Sequence, residues 1–236
     1  MRQYFQVNIH FENRTMRTFK FTTCAIALLA LAACGNNTAD TQQAPARQSA
    51  SAQNATGPEF AAYVSTLQLA QDRQDQELVD VARKHLINAV AAGDVDAGRR
   101  LLDESEPVSR LVWEGTAPGV VALADKLIGQ KTMQARVYLR LAGNLVSAGI
   151  YLPRNYDRAT LYYAGSWAAG EGASAALTAS TYYAAHDLVN AYLWTLRCKE
   201  ECGRLPASTN ALEDSLDAPT MKLIQSKAND PTVMGL

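Results

Sequence analysis

The chain has 236 residues, 48% of them hydrophobic, with 22 Lys and Arg against 23 Asp and Glu and a net charge of −1. That balance supplies no basic excess to hold a nucleic-acid backbone and no block of like charge to act as a solvating tail. The length excludes a large multidomain enzyme and leaves room for one good-sized domain with a real core. The first element is an apolar run, residues 24–33, reading CAIALLALAA. Arg14, Arg17 and Lys20 precede it, and no acidic residue stands between Glu12 and Cys34. A run of that length cannot span a bilayer as a helix, which needs about 20 apolar residues. It fits the apolar centre of an export signal, where small residues mark the cleavage point. Residues 1–33 are therefore expected to be a signal peptide. Met16-Arg17-Thr18-Phe19-Lys20 is already a complete start, so translation is expected to begin at Met16.

Leu31-Ala32-Ala33-Cys34 resembles the lipobox of bacterial lipoproteins. The resemblance implies that Leu31, Ala32 and Ala33 are read by the signal peptidase, that cleavage falls before Cys34, and that Cys34 carries the lipid. An ordinary secretory signal followed by an unrelated cysteine is the alternative reading. Two or more acyl chains anchor a protein stably where one holds it marginally. Gly35 rather than Asp follows the cysteine, which by analogy with enterobacterial sorting implies the outer membrane, facing the periplasm. Residues 35–58 read GNNTADTQQAPARQSASAQNATGP and have almost no large apolar side chain. Such a stretch cannot bury enough surface to offset its ordering entropy. Residues 34–58 are expected to be the lipidated cysteine and a flexible tether, roughly 25–30 Å from end to end.

From Glu59 onward the pattern is helical. Phe60, Val64, Leu67 and Leu69-Ala70 recur at three and four, as do Leu78, Val81-Ala82, His85-Leu86 and Ala89-Val90, up to the stop at Ala92-Gly93. Asp94-Val95-Asp96 can cap a helix carrying Leu101 and Leu102 and closed by Pro107. Val108 to Trp113 predicts a short turn of helix, broken by Gly115 and Pro118. Val120 to Ile128 stops at Gly129, and Thr132 can cap a longer helix that runs to Gly149. No stretch alternates apolar and polar residues over strand length, so the expected class is all-α with short connections between antiparallel neighbours.

Residues 135–203 carry a repeat. Asn155-Tyr156-Asp157-Arg158-Ala159-Thr160-Leu161-Tyr162-Tyr163 leads to Gly170, and Ala191-Tyr192-Leu193-Trp194, 32 residues after Ala159, repeats the small-then-aromatic pattern before Gly203. An Ala-rich helix, Ala173 to Tyr183, lies between them. Small residues let helices approach closely and the aromatics fill the gap at the next hairpin. No single hairpin buries its own apolar face, so hairpins must stack. The pattern resembles Sel-one-like repeats, relatives of tetratricopeptide repeats. Tyr156, Ala159, Tyr162, Tyr163 and Gly170 match the second-helix positions of that motif, Ala191, Trp194 and Gly203 match less tightly, and Gly149 and Tyr151 echo the end of the first helix. The usual Gly-rich turn is missing, with Pro153 and the Asp187 region in its place. The resemblance implies an irregular α-solenoid of stacked antiparallel helix hairpins over residues 59–236.

Cys198 and Cys202 sit four apart, about one helical turn, near the upper end of bridging range. An oxidising periplasm permits a disulfide between them. A redox centre usually spaces its cysteines more tightly, and two sulfurs without further ligands do not make a metal site. Neither a metal nor a cofactor is expected. His85 and His186 are expected in packing, capping or surface roles. Glu104-Ser105 resembles the Glu-Ser pair of lytic transglycosylases, without that family's Gly-rich downstream motif. Glycosidic cleavage further needs a carboxyl with a raised pKa in a substrate cleft.

The expectation is therefore a non-catalytic protein-binding module, lipid-anchored in the bacterial cell envelope. Its binding groups are expected among Arg154, Tyr156, Arg158, Tyr183 and Trp194, since aromatic and Arg anchors carry most interface energy. Lipoproteins with such repeats include immunity proteins that block interbacterial toxins, which makes a secreted toxin the sharper expectation for the partner. An envelope assembly or structural lipoprotein is the alternative, and a cell-wall-cleaving enzyme with Glu104 as acid is a third.

Overall fold

A computed structural model describes residues 56–103, 105, 108–198, 205 and 207–236, and among them every regular element is an α-helix. No described helix is long and apolar enough to cross a membrane. α1 (Pro58–Arg73) starts on a proline, which lacks the N–H that a first turn leaves unpaired anyway. Gln74 takes a left-handed conformation at φ 53° and turns the chain in two residues. Asp75 then caps α2 (Gln76–Ala91) by accepting from the N–H groups of Glu77 and Leu78. Seven polar residues in succession, QDRQDQE, separate Ala70 from Leu78, and the turn falls within them.

Asp94 caps α3 (Val95–Leu102) through the N–H groups of Asp96 and Ala97. α4 (Arg110–Leu127) corrects a sequence expectation, because it runs unbroken through Gly115 and Pro118. A mid-helix proline costs about 3 kcal/mol in an exposed host and removes one hydrogen bond. Here Val112, Thr116, Ala117, Val120, Val121, Ala124 and Leu127 form one buried stripe, while Glu114 and Pro118 face solvent. The carbonyl that proline leaves unpaired is therefore open to water. Burial of the opposite face, about 1.5–3 kcal/mol for each large side chain, outweighs the local penalty.

Thr132 caps α5 (Met133–Ala148), which ends on Gly149 at φ 69°. Asn155 caps α6 (Tyr156–Ala168), and Asp187 caps α8 (Leu188–Arg197). Between those two lies α7 (Ser174–Ala184), and Ser208 and Asp217 cap α9 (Thr209–Glu213) and α10 (Ala218–Ala228). The main helix contacts follow chain order: α1 on α2, α2 on α4, α4 on α5, α5 on α6, α6 on α7 and α7 on α8. α3 packs on α5, and α9 and α10 both pack on α8.

The core follows that order in three clusters. The largest joins α1 to α6, a second joins Ala164, Ala175, Ala176, Ala179 and Trp194, and a third gathers Tyr192, Leu193, Leu212 and Ile224. Tyr138 anchors the first from a fully buried position, its hydroxyl donating 2.7 Å to the Asp94 carbonyl and 3.3 Å to that of Val90. Burial holds its pKa above the ordinary tyrosine value. Gly143 sets how closely α5 and α6 approach. A Cβ there would meet the Tyr163 ring at 2.5 Å, so only glycine admits that aromatic at this spacing.

Candidate functional site

Cys34 and the signal residues Leu31, Ala32 and Ala33 lie outside the described residues, as do Cys202 and Glu104. Cys198 stands at the C-terminal cap of α8 and is disulfide-bonded. Ser105 turns its N–H and hydroxyl onto the Asp103 carboxylate, holding that carboxyl below its ordinary pKa. His85 Nδ1 lies 2.9 Å from the Glu59 carboxylate at a half-exposed position. His186 is exposed at φ 62°, the left-handed position that ends α7. No group of three or more His, Cys, Asp or Glu able to hold a metal ion occurs among the described residues.

The expected binding residues divide. Arg154 and Arg158 are exposed beside Tyr156 at the start of α6, with the Arg154 guanidinium 5.9 Å from the Tyr156 ring. Arg154 also donates to the Ala148 carbonyl at 2.9 Å, closing the end of α5. Arg158 reaches across to α4, pairing with Asp125 at 2.5 Å, and the same carboxylate accepts from the Tyr162 hydroxyl at 2.5 Å. The two donors hold Asp125 below the ordinary carboxylate range. Burial first, and then Asp125, push Tyr162 up to about 12, so it remains a donor and not a base. Tyr183 is 41% exposed on α7. Trp194 is the correction. It has no exposed surface. Its ring packs edge-on against Trp167 at 5.2 Å and 87°, so it is a core side chain and cannot be a surface anchor.

An open groove of about 590 Å³ runs along α6. One wall is the helix face of Asp157, Thr160, Leu161, Ala164, Gly165 and Ala168, residues three and four apart. The Ile128–Lys131 turn lines another side, and Tyr182 with Met234 and Gly235 of the final segment lines the rest. Leu161 is 50% exposed. Ala164, Gly165 and Ala168 add only small groups to this wall; a side chain at Gly165 would point to Leu139 of α5 instead. The volume lies within the range of sites that bury a ligand, and Lys131 and Asp157 supply one charge of each sign.

Next to the groove, residues after α10 fold back along α8. Arg197 is buried beside the edge-on pair of Trp194 and Trp167, its guanidinium carbon 4.7 and 5.3 Å from their ring centres. Its Nε donates to the Ala228 carbonyl at 3.2 Å, and one Nη donates to Asp230 and Val233 at 2.7 and 2.5 Å. Trp194 Nε1 donates to the Met234 carbonyl at 3.3 Å. Asn190 grips Leu236 at both main-chain groups, accepting from its N–H at 2.8 Å and donating to its oxygen at 3.3 Å. A guanidinium within cation–π distance of aromatic rings and forked toward carbonyls uses the geometry in which Arg differs from Lys.

Arg197 and Asn190 carry no motif that selects them in the sequence. The one available signal is an arginine closing an otherwise apolar helix, LVNAYLWTLR. Compared with models of protein families, with curated proteins and with solved structures, the chain matches none.

Proposed function

We propose that this chain is a lipid-anchored protein-binding module of the bacterial cell envelope, non-catalytic and built as an irregular α-solenoid of the Sel-one-like kind. Cys34 is its anchor, the outer membrane facing the periplasm its place, and residues 34–58 the tether that holds the domain off the surface. Cys198 pairs with Cys202 in this reading, pinning the end of α8 under oxidising conditions. The single observation that carries the binding role is the open apolar groove along α6, a formed concavity with exposed Leu161 at its wall. Exposed apolar surface beside a formed concavity marks interaction sites on proteins generally. The partner we favour is a secreted toxin, which makes the protein an immunity protein, with an envelope assembly factor as the other member of the class.

The test is a pull-down from envelope extract with the full lipidated chain in detergent, paired with Leu161→Arg, which alters the groove at a half-exposed position. One stoichiometric partner retained at high salt by the native chain and lost by the variant supports the reading. A partner that is a toxic enzyme supports the immunity form, and loss of resistance on gene deletion checks it in cells. If nothing is retained while peptidoglycan binds, or is cleaved in a manner lost on Glu104→Gln, the reading fails in favour of wall binding or catalysis.

A further inference from the structure

Segments that fold back on a domain usually hold by burying their side chains. The segment after Val233 does the reverse. Met234 and Leu236 are 38% and 46% exposed, whereas the hydrogen bonds that hold them run to main-chain atoms, from Trp194 to the Met234 carbonyl and from Asn190 to both main-chain groups of Leu236. Contacts of that kind read the main chain and leave side-chain selection to the neighbouring groove. The groups that read it are preformed: Trp194 is locked against Trp167, and the Asn190 amide is further fixed by Asp187 at 2.7 Å. Gly235 sits where a side chain would start 3.4 Å from the Asn190 oxygen and 3.6 Å from the Tyr182 hydroxyl, so the backbone lies close against its reader.

The division at Val233 is physical. Arg197 holds the main chain at Ala228, Asp230 and Val233, leaving Met234, Gly235 and Leu236 to Trp194 and Asn190 alone. Two of these three residues also line the groove, which continues from them along α6 to the Ile128–Lys131 turn. The chain thus sets a segment of its own, without charged side chains, as one wall of a groove that is mostly apolar.

We propose that Met234–Leu236 is a displaceable wall of the α6 groove, held through its main chain by Asn190 and Trp194, and that the partner presents an apolar segment without charged side chains that takes its place. The proposal deepens the protein-binding reading and rests on it. The resident segment shows the chemistry accepted: main-chain N–H and C=O read by Asn190, and an apolar side chain at the groove where Met234 stands. A strongly charged segment would bring its charge beside Leu161 and Ala164 with only Lys131 and Asp157 to answer it.

The test uses the full lipidated chain in detergent, the same chain stopped after Val233, and a synthetic peptide of residues 231–236 as probe. The stopped chain keeps every carbonyl that Arg197 holds. It is expected to bind the peptide saturably, and the intact chain at least about tenfold more weakly, because its own segment competes. A peptide with Met234→Asp, and the stopped chain carrying Asn190→Ala, are each expected to lose about tenfold, the equivalent of one good contact. A folded stopped chain that ignores the peptide overturns the proposal, as does equal binding by stopped and intact chains. A stopped chain that fails to fold overturns it too, since the segment is then structural. An envelope partner still retained by the intact chain in any of those cases leaves the binding-module reading standing.

Discussion

The seam between α5 and α6 is set by shape and tied by a few hydrogen bonds of Tyr163, Ser166 and Arg136, whereas the seam between α8 and the chain after α10 is closed chiefly by hydrogen bonds to main-chain oxygens. In the first, Gly143 leaves room for one aromatic ring, Tyr163, whose body packs in an apolar cluster while its hydroxyl meets Asn144 and Ser147 at 2.9 and 3.0 Å. In the second, a buried guanidinium beside two indoles gathers carbonyls from a segment whose Met234 and Leu236 side chains stay partly exposed. The difference teaches where exchange is feasible. A steric seam opens only by leaving a void, which close-packed interiors resist. A seam of main-chain hydrogen bonds can trade one peptide for another at little net change, because the incoming backbone offers the same groups.

The largest effect separating the two belongs to Trp194. Trp194→Ala is expected to cost about 3–5 kcal/mol in chemical denaturation, since it empties the second core cluster and unseats Arg197 together. A loss below about 1 kcal/mol would mean that the cluster collapses without it. Arg197→Ala comes next, at about 2–3 kcal/mol, from charge-assisted bonds lost by partly buried carbonyls. Arg197→Lys sharpens the comparison: it is expected to recover less than half of that, because an ammonium keeps the charge and loses the fork.

Gly143→Ala probes the steric seam. Overpacking against Tyr163 costs about 1–3 kcal/mol and the gain in helix propensity returns up to about 1, so a net loss near 1 kcal/mol is expected. A stabilised variant would show that the Tyr163 ring yields, and the contrast between the seams would weaken.

The smallest effect is electrostatic and lies on α4 and α6. Asp125 is held below its ordinary pKa by Tyr162 and Arg158, so its contribution is fully present above about pH 4 and is lost as pH falls further through the folded value. Tyr162 has the opposite sense. Raised to about 12, it favours the folded state below pH 10 and loses that contribution as pH climbs from 10 toward 12. Tyrosinate absorbance should show one group titrating near 12 that shifts downward in Asp125→Asn. Both partners of the Arg158 pair are about half exposed, so Arg158→Ala should cost less than about 1 kcal/mol.

Much of the fold is legible in the residues. Asp94 and Thr132 read as caps because a short side chain before an apolar period can accept from the first free N–H groups, and Gly149 reads as a stop because it tolerates left-handed φ. Helix α4 is not legible at Pro118, because a local penalty is visible in sequence and the burial that outweighs it is not. The groove is not legible: none of Arg154, Tyr156, Arg158, Tyr183 and Trp194 lines it. Arg154, Arg158 and Tyr183 stand at the surface and Trp194 does not, since helical spacing gives the same reading to an indole facing a neighbour and one facing water.

What the sequence by itself determined is local: helical class, caps, stops and the small-then-aromatic order along residues 155–194, all set by interactions within a few residues. The tertiary structure alone decided the rest. It buried Arg197 by bringing to it carbonyls 31 to 36 residues away, and it laid Met234 and Gly235 beside α6. A charge in an apolar helix looks solvent-facing until the chain that satisfies it has folded back, because its desolvation is repaid only by distant partners.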